Sequence, residues 1–310
     1  MSVILHILHY LKQRMLTVIY DHEILSKIAN GESFPARENP DEVIYIVSFP
    51  KSGRTWLRVI LSRYKQQVVG ISDFYLKLHD LFVTGADFSP QYIFSHANSG
   101  WENVYYETKH RFLATWLDFL GLYNGPVPSN FDLTVFRNSK IIFLLRDPRD
   151  VLVSSYYHNI YRQKFVFKMP KARYIRMRLY GLQRIIEFMN FLADNHSKHD
   201  HLIIRYEQIL DQPHTEFEKI LNFSGTKVNK EFIENAVSYG QFENMQKMES
   251  DNVYGDKLQQ FDSNPQARKV RQGTKGSYKT EFSKQDIEYI EQYIQDQLDD
   301  FYSFYKTYTK

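Results

Sequence analysis

The octet Phe49-Pro50-Lys51-Ser52-Gly53-Arg54-Thr55-Trp56 sets cations, hydroxyls and a glycine between an apolar run and a helical pattern. A strand–loop–helix junction of this kind presents unpaired backbone N–H groups at the positive end of a helix dipole. Gly53 lets the backbone approach an anion, Ser52 and Thr55 add hydroxyl donors, and Lys51 adds a mobile positive charge. The chemistry is phosphate binding. The loop is P-loop-like but is not a Walker A loop: G-x-x-x-x-G-K-[ST] occurs nowhere, and here the lysine precedes the glycine. A second segment runs from Arg146-Asp147-Pro148-Arg149-Asp150 to Ser154. Pro148 suits a first helical turn and Asp147 its cap. Arg146 ends a strand, where open α/β sheets bind ligands, and Ser154 lies about two turns into the following helix. An Arg and a Ser so placed could grip a second phosphate; alone, the segment reads equally well as a salt-bridged helix start. The third segment, Arg271-Gln272-Gly273-Thr274-Lys275-Gly276-Ser277-Tyr278-Lys279, is a basic loop punctuated by glycine. Alone it would pass for a solvated loop.

The elements that must hold these loops are short apolar strands alternating with longer helical patterns. Residues 43–49, 91–95, 141–145 and 201–206 read as strands, and their continuous apolar character suits a parallel sheet covered on both faces. Helical spacing appears over 54–67, over 107–120 (Phe112, Trp116, Phe119), over 177–194 (Leu179, Leu182, Ile185, Ile186, Met189, Leu192) and over 284–305 (Ile287, Ile290, Ile294, Leu298, Phe301). The alternation predicts an α/β fold, three-layer α/β/α with a central parallel sheet and right-handed crossovers. No internal repeat or linker divides the 310 residues, so one domain spans 1–310. Residues 1–40 form a helical extension packed on it.

Composition closes off several functions. The chain has no Cys, and therefore no disulfide, zinc–thiolate site or thiol nucleophile, which suits a cytoplasmic location. Its 39 Lys and Arg against 36 Asp and Glu leave +3, too small an excess to call for nucleic acid. Residues 3–28 are apolar but broken by His6, His9, Lys12 and Arg14, too charged to span a bilayer. They read as an amphipathic helix packed on the body, with peripheral contact at a membrane surface as the competing reading.

Taken in this order, the three segments resemble the PAPS-dependent sulfotransferase family, cytosolic or bacterial type, over residues 43 to about 283. PAPS is 3′-phosphoadenosine 5′-phosphosulfate. Residues 49–56 follow the family's Y-P-K-S-G-T-T-W loop with Phe49 for Tyr and Arg54 for the first Thr. Arg146 to Ser154 follow R-[ND]-P-[KR]-D-x-x-x-S throughout. Arg271 to Lys279 follow R-K-G-x-x-G-D-W-K with Gln272 for Lys, Ser277 for Asp and Tyr278 for Trp. Tyr206-Glu207-Gln208-Ile209 is similar to the Y-E-[DQ]-[LM] tract whose Tyr meets the adenine. The resemblance implies PAPS as co-substrate and PAP as product, with no metal. It implies that Lys51, Ser52, Gly53, Arg54, Thr55 and Trp56 hold the 5′ end. Arg146, Ser154, Arg271, Gln272 and Gly273 would hold the 3′-phosphate, with Tyr206 at the base. Gln272 removes a charge from that loop, for which Arg146, Arg268 or Lys269 would make up.

The resemblance also implies a catalytic histidine just after a strand. His96 in Tyr92-Ile93-Phe94-Ser95-His96-Ala97-Asn98 occupies that place as general base, with Lys51 on the leaving phosphate. His158, His196, His199 and His201 read as ordinary histidines. The implied acceptor is a hydroxylated small molecule, saccharide or lipid, or an amine. Phe74, Tyr75, Trp101, Tyr105 and Tyr106 flank His96 in sequence and divide evenly between acceptor lining and core. Residues 162–178 hold seven basic residues and no acid; they read as a solvated or mobile loop over the site, or as a lid favouring an anionic or saccharide acceptor. The motif for dimerisation is broken by Ser283-Lys284, leaving the oligomeric state open. Two rival classes make different demands: a P-loop nucleotide kinase wants a Walker A lysine and a Mg²⁺-binding Asp, and a non-catalytic RNA- or membrane-binding module wants a basic face without a catalytic set.

Overall fold

Apolar residues dominate Val43–Val47 (β1), Gln91–Ser95 (β3), Lys140–Leu145 (β4) and His201–Arg205 (β5), and in the computed structural model all four are parallel strands of one sheet. The structure describes residues 43–69, 80–81, 90–99, 111–125, 131–136, 139–162, 168–254, 258, 260 and 263–306. The strand order is β2-β3-β1-β4-β5, where β2 (Asp80–Leu81) is a two-residue antiparallel edge. Asp41–Lys310 make one compact unit. The helical reading of residues 3–28 lies outside the described residues.

Alternation along each strand builds two cores, one per face. Ile142 and Leu144 of β4 join Ile44, Ile46, Tyr92 and Phe94 on one face. There they meet Arg54–Val69 (α1), Pro213–Phe223 (α7), Lys230–Tyr239 (α8) and Phe242–Ser250 (α9). Ile141, Phe143 and Leu145 face the other way with Val47. They meet Pro148–Tyr157 (α3), Leu182–Asn195 (α5) and Lys284–Gln297 (α11). This is the expected α/β/α layering.

Four expectations shift at their edges. The helix expected over 177–194 starts at Leu182, because Asp118 takes the N–H groups of Arg178 (2.9 Å) and Leu179 (2.9 Å) out of the helix. The helix expected over 284–305 ends at Gln297; Leu298 turns extended, Asp299 caps a 3-10 turn, and a last short helix follows at Ser303–Lys306. Tyr206 opens a helix, Tyr206–Asp211 (α6), instead of ending β5. On Arg111–Leu120 (α2), Trp116 is 43% exposed beside exposed Leu113 and Leu120, so that part of the apolar stripe faces outward rather than into the core.

Candidate active site

Parallel register brings the separate motifs together. β1 and β3 pair Val47 with Ser95, so the residues one step beyond, Ser48 and His96, lie side by side. His96 Nδ1 donates to the Ser48 carbonyl at 2.8 Å. A carbonyl only accepts, so Nδ1 carries the proton and the basic lone pair of the neutral ring sits on Nε2. Three residues after Ser48, Lys51 adopts φ +75°, a left-handed conformation that costs a non-glycine residue on the order of 1 kcal/mol. Gly53 follows at φ +101°, and its carbonyl accepts the first helical bond of α1 from Leu57 N at 3.2 Å. A Cβ on Gly53 would sit 2.5 Å from Tyr206 Cδ2, so an aromatic ring, as well as the approach of an anion, requires glycine here. Ser52 is buried in the loop, and Arg54, Thr55 and Trp56 form the first turn of α1. The Trp56 indole N–H donates to Gly240 O at 2.5 Å, and its ring meets the edge of Tyr206.

β4 lies on the other side of β1 and β5 lies beyond it, with Leu145 opposite Arg205. The next residues, Arg146 and Tyr206, therefore meet: the guanidinium sits 4.4 Å over the phenol ring. Arg146 also donates to Lys51 O (3.0 Å) and Thr274 O (3.4 Å), clasping the first and third loops. Its Nε and the Oε1 of Gln272 are buried without a hydrogen-bond partner among the described residues. Asp147 caps α3 through Arg149 N (2.9 Å) and also binds the Arg149 guanidinium, as a cap beside Pro148 should. Ser154 lies half-buried in α3.

The third loop is held by two carboxylates, Asp150 within the second segment and Glu281 just past the third. Asp150, fully buried, accepts from Gly276 N (2.6 Å), Ser277 Oγ (2.8 Å) and Tyr278 N (3.1 Å). Glu281 ends Tyr278–Glu281 (α10) and accepts from Arg271 (2.7 Å), Gln272 (3.1 Å), Tyr157 (2.6 Å) and Lys171 (2.7 Å). Burial alone would raise its pKa; the bonds from Lys171, Tyr157 and Arg271 outweigh it and hold the carboxyl down at about 2. Arg271 is thereby stacked 3.8 Å over the Tyr157 ring. Gly273, at φ +64°, lies against Phe242, whose Cδ2 would be 2.3 Å from an added Cβ.

The electrostatics centre on Lys51. Burial, then the charges of Arg162 and Arg146, lower its pKa to about 7 against the opposing pull of Glu249. Lys269 is lowered well below its usual value by burial and by Lys51, Arg162, Arg58 and Arg54. Its backbone N–H is held by Glu249 at 2.6 Å. His158 is no ordinary helix residue: burial, Lys51, Arg162, Lys269 and His96 together keep it neutral. A π turn at His158–Arg162 carries it there. Local patterning gave no sign of that turn.

The described part of the basic 162–178 segment is pinned, not a solvated loop. Lys171 pairs with Glu281, Arg176 with Asp286 (2.6 Å), Arg173 donates to the carbonyls of Asp118 and Phe119, and Arg178 to Tyr123 O (3.0 Å). Phe74, Tyr75, Trp101, Tyr105 and Tyr106 lie outside the described residues. Among the described residues no group of three metal-ligating side chains converges, and no helix is long and apolar enough to cross a membrane.

A family model for the sulfotransferase domain matches residues 41–302. The dog protein Sulfotransferase 1B1 is 25% identical over 240 residues, which are 75% of this chain and 76% of that one. Among solved structures, mouse sulfotransferase SULT7A1 complexed with PAP superposes with a TM-score of 0.60 at 19% identity, covering 88% of this chain and 90% of that one. Retinol dehydratase in complex with androsterone and inactive cofactor PAP superposes with a TM-score of 0.56 at 19% identity, covering 84% and 82%.

Proposed function

The chain belongs to the sulfotransferase domain family, and from that premise we propose that it moves the sulfuryl group of PAPS to an acceptor hydroxyl or amine, with Lys51 and His96 as the catalytic pair. The observation that carries the pairing is the 2.8 Å hydrogen bond from His96 Nδ1 to Ser48 O, which ties the imidazole to the backbone leading into the Lys51 loop.

PAPS supplies the sulfuryl group. His96 Nε2 takes the proton of the acceptor as its oxygen or nitrogen attacks; the backbone bond at Nδ1 fixes the tautomer this needs. The Lys51 ammonium offsets the negative charge growing on the departing 5′-phosphate, as do N–H groups at the start of α1. Ser52, Gly53, Arg54, Thr55 and Trp56 hold the 5′ end, Tyr206 borders the base, and Arg146, Ser154, Arg271, Gln272 and Gly273 take the 3′-phosphate. The residues fit such an anion. Arg146 Nε is buried without a partner among the described residues, and buried cations crowd Lys51, an arrangement that costs the fold stability until negative charge arrives.

The acceptor belongs to the class of hydroxylated small molecules, saccharides and lipids; androsterone, bound by retinol dehydratase, is of that class. A kinase reading is weakened at Asp147, the acid after β4. It is spent on the α3 cap and on Arg149.

The test is transfer of labelled sulfate from PAPS to a panel of hydroxylated acceptors by wild type, Lys51→Ala and His96→Ala. Each substitution should lower kcat by about 100-fold or more. Wild-type activity in either variant removes that residue from the mechanism.

A further inference from the structure

Both side chains that the third loop offers to a 3′-phosphate are already turned to an acid. Arg271 Nη1 lies 2.7 Å and Gln272 Nε2 3.1 Å from the same oxygen, Oε1 of Glu281. That carboxylate is held from its other side as well. Its Oε2 accepts from Tyr157 OH at 2.6 Å and from Lys171 Nζ at 2.7 Å, and Lys171 also donates to the Glu281 carbonyl at 2.9 Å. Only 17% of the Arg271 side chain and 12% of the Glu281 side chain are exposed, so this is no loose surface pair. An arginine, a lysine, a phenol and an amide converging on one anion are the donors that a bound phosphate recruits.

A 3′-phosphate would meet that carboxylate as a rival. The bonds it accepts keep Glu281 ionised. A phosphate monoester brings about two negative charges to the same guanidinium, and two anions sharing one cation repel where water screens them poorly. Gln272 cannot restore the balance, because its amide carries no charge. The two oxygens of Glu281 make an exchange feasible: Oε1 can release Arg271 and Gln272 while Oε2 keeps Tyr157 and Lys171, so no buried charge is stranded.

We propose that Glu281 is a specificity-determining residue of the nucleotide site, an internal anion that competes with the 3′-phosphate for Arg271 and Gln272 and so loosens PAPS and PAP together. The proposal rests on the sulfotransferase reading and on its placing of the 3′-phosphate at the third loop. Binding given up equally by donor and product leaves the chemical step alone and lets the product depart sooner.

The probes are PAP and adenosine 5′-monophosphate, which lacks the 3′-phosphate, titrated calorimetrically into the full chain. Glu281→Gln should tighten PAP at least tenfold and the monophosphate less than threefold. Adding Arg271→Gln to Glu281→Gln should cancel most of that gain. Asp211→Asn removes the exposed acid paired with Lys275 of the same loop, and should change either affinity less than threefold. Unchanged or weaker PAP binding in Glu281→Gln overturns the proposal and makes the carboxylate an anchor for Arg271. Equal tightening of both nucleotides, or the same gain from Asp211→Asn, overturns it too, since a plain change in net charge would do as much. If Glu281→Gln shows no cooperative unfolding, Glu281→Asp decides, its carboxylate drawn back by one methylene: PAP should tighten at least threefold, and no gain overturns the proposal. Wild type that binds no PAP would instead sink the sulfotransferase reading itself, and this proposal with it.

Discussion

At the scale of single residues, Lys51 is where structure and chemistry pull against each other. It holds a left-handed backbone and a buried ammonium whose pKa falls from 10.5 to about 7, burial being the largest cause. Between about 7 and 10.5 the unfolded chain keeps this proton and the folded one loses it. Stability of the nucleotide-free enzyme should therefore rise with pH through that window from this group, while below about 7 the full penalty is present. Bound against Lys51 as proposed, PAP would reverse the preference by favouring the charged amine. Titration with PAP at pH 8, in two buffers of different ionisation enthalpy, should accordingly register net uptake of up to about one proton. Lys51→Met should remove most of that uptake. Uptake of the same size in the variant would show that another group titrates.

At the scale of elements, two junctions set the geometry. Gly53 joins β1 to α1 with the Tyr206 ring where a Cβ would go. Gly53→Ala should cost about 1–3 kcal/mol, read as a lower urea midpoint, and should weaken PAP binding because the loop must shift. A neutral Gly53→Ala would mean that Tyr206 yields easily. Asp150 joins α3 to the third loop through three accepted bonds. Removing this acceptor leaves buried donors unpaired, worth about 1–3 kcal/mol each at most. Asp150→Ala should therefore raise the Kd for PAP at least tenfold, with Asp150→Asn between it and wild type, since the amide retains the Oδ1 acceptor. Equal PAP affinity across the three would free the loop from this anchor.

At the scale of the whole molecule, one sheet with a core on each face carries every loop of the site past the same strand ends. Ligand binding at those ends should report on the entire fold. PAP at a hundredfold its Kd should stabilise the protein by about 2.7 kcal/mol, visible as a higher Tm, and ATP with Mg²⁺ should do much less. Equal stabilisation by the two would revive the kinase reading. The C-terminal segment contributes from behind: Tyr305 OH donates to Glu207 (2.9 Å), and Glu207 in turn accepts from Asp147 N at 2.8 Å, just past Arg146. Tyr305→Phe should lower Tm without touching any residue of the cleft. An unchanged Tm would leave Glu207 sufficiently satisfied by its remaining bonds.

Residue order was enough to read the loops with the makings of a phosphate cradle, the strands that feed them and the family they resemble. Those features are contiguous: the order of lysine, glycine and hydroxyls between an apolar run and a helix is enough to define a cradle, and Asp147-Pro148 is enough to start a helix. Tertiary structure alone decided what meets across the chain. His96 reaches Ser48 only because β3 lies beside β1 in one register, and a one-residue slip would point it to the opposite face. Arg162, Glu249 and Lys269 come from a π turn, a helix end and a loop, and nothing in their neighbours' spacing announces that Glu249 joins them in one buried corner. The same holds for the basic stretch near residue 170. Its composition suggested a solvated loop or a lid, and in its described part Asp118, Glu281 and Asp286, far off in sequence, supply partners that hold it down. Local order encodes local conformation; the position of a charge relative to a distant charge is settled only when the sheet closes.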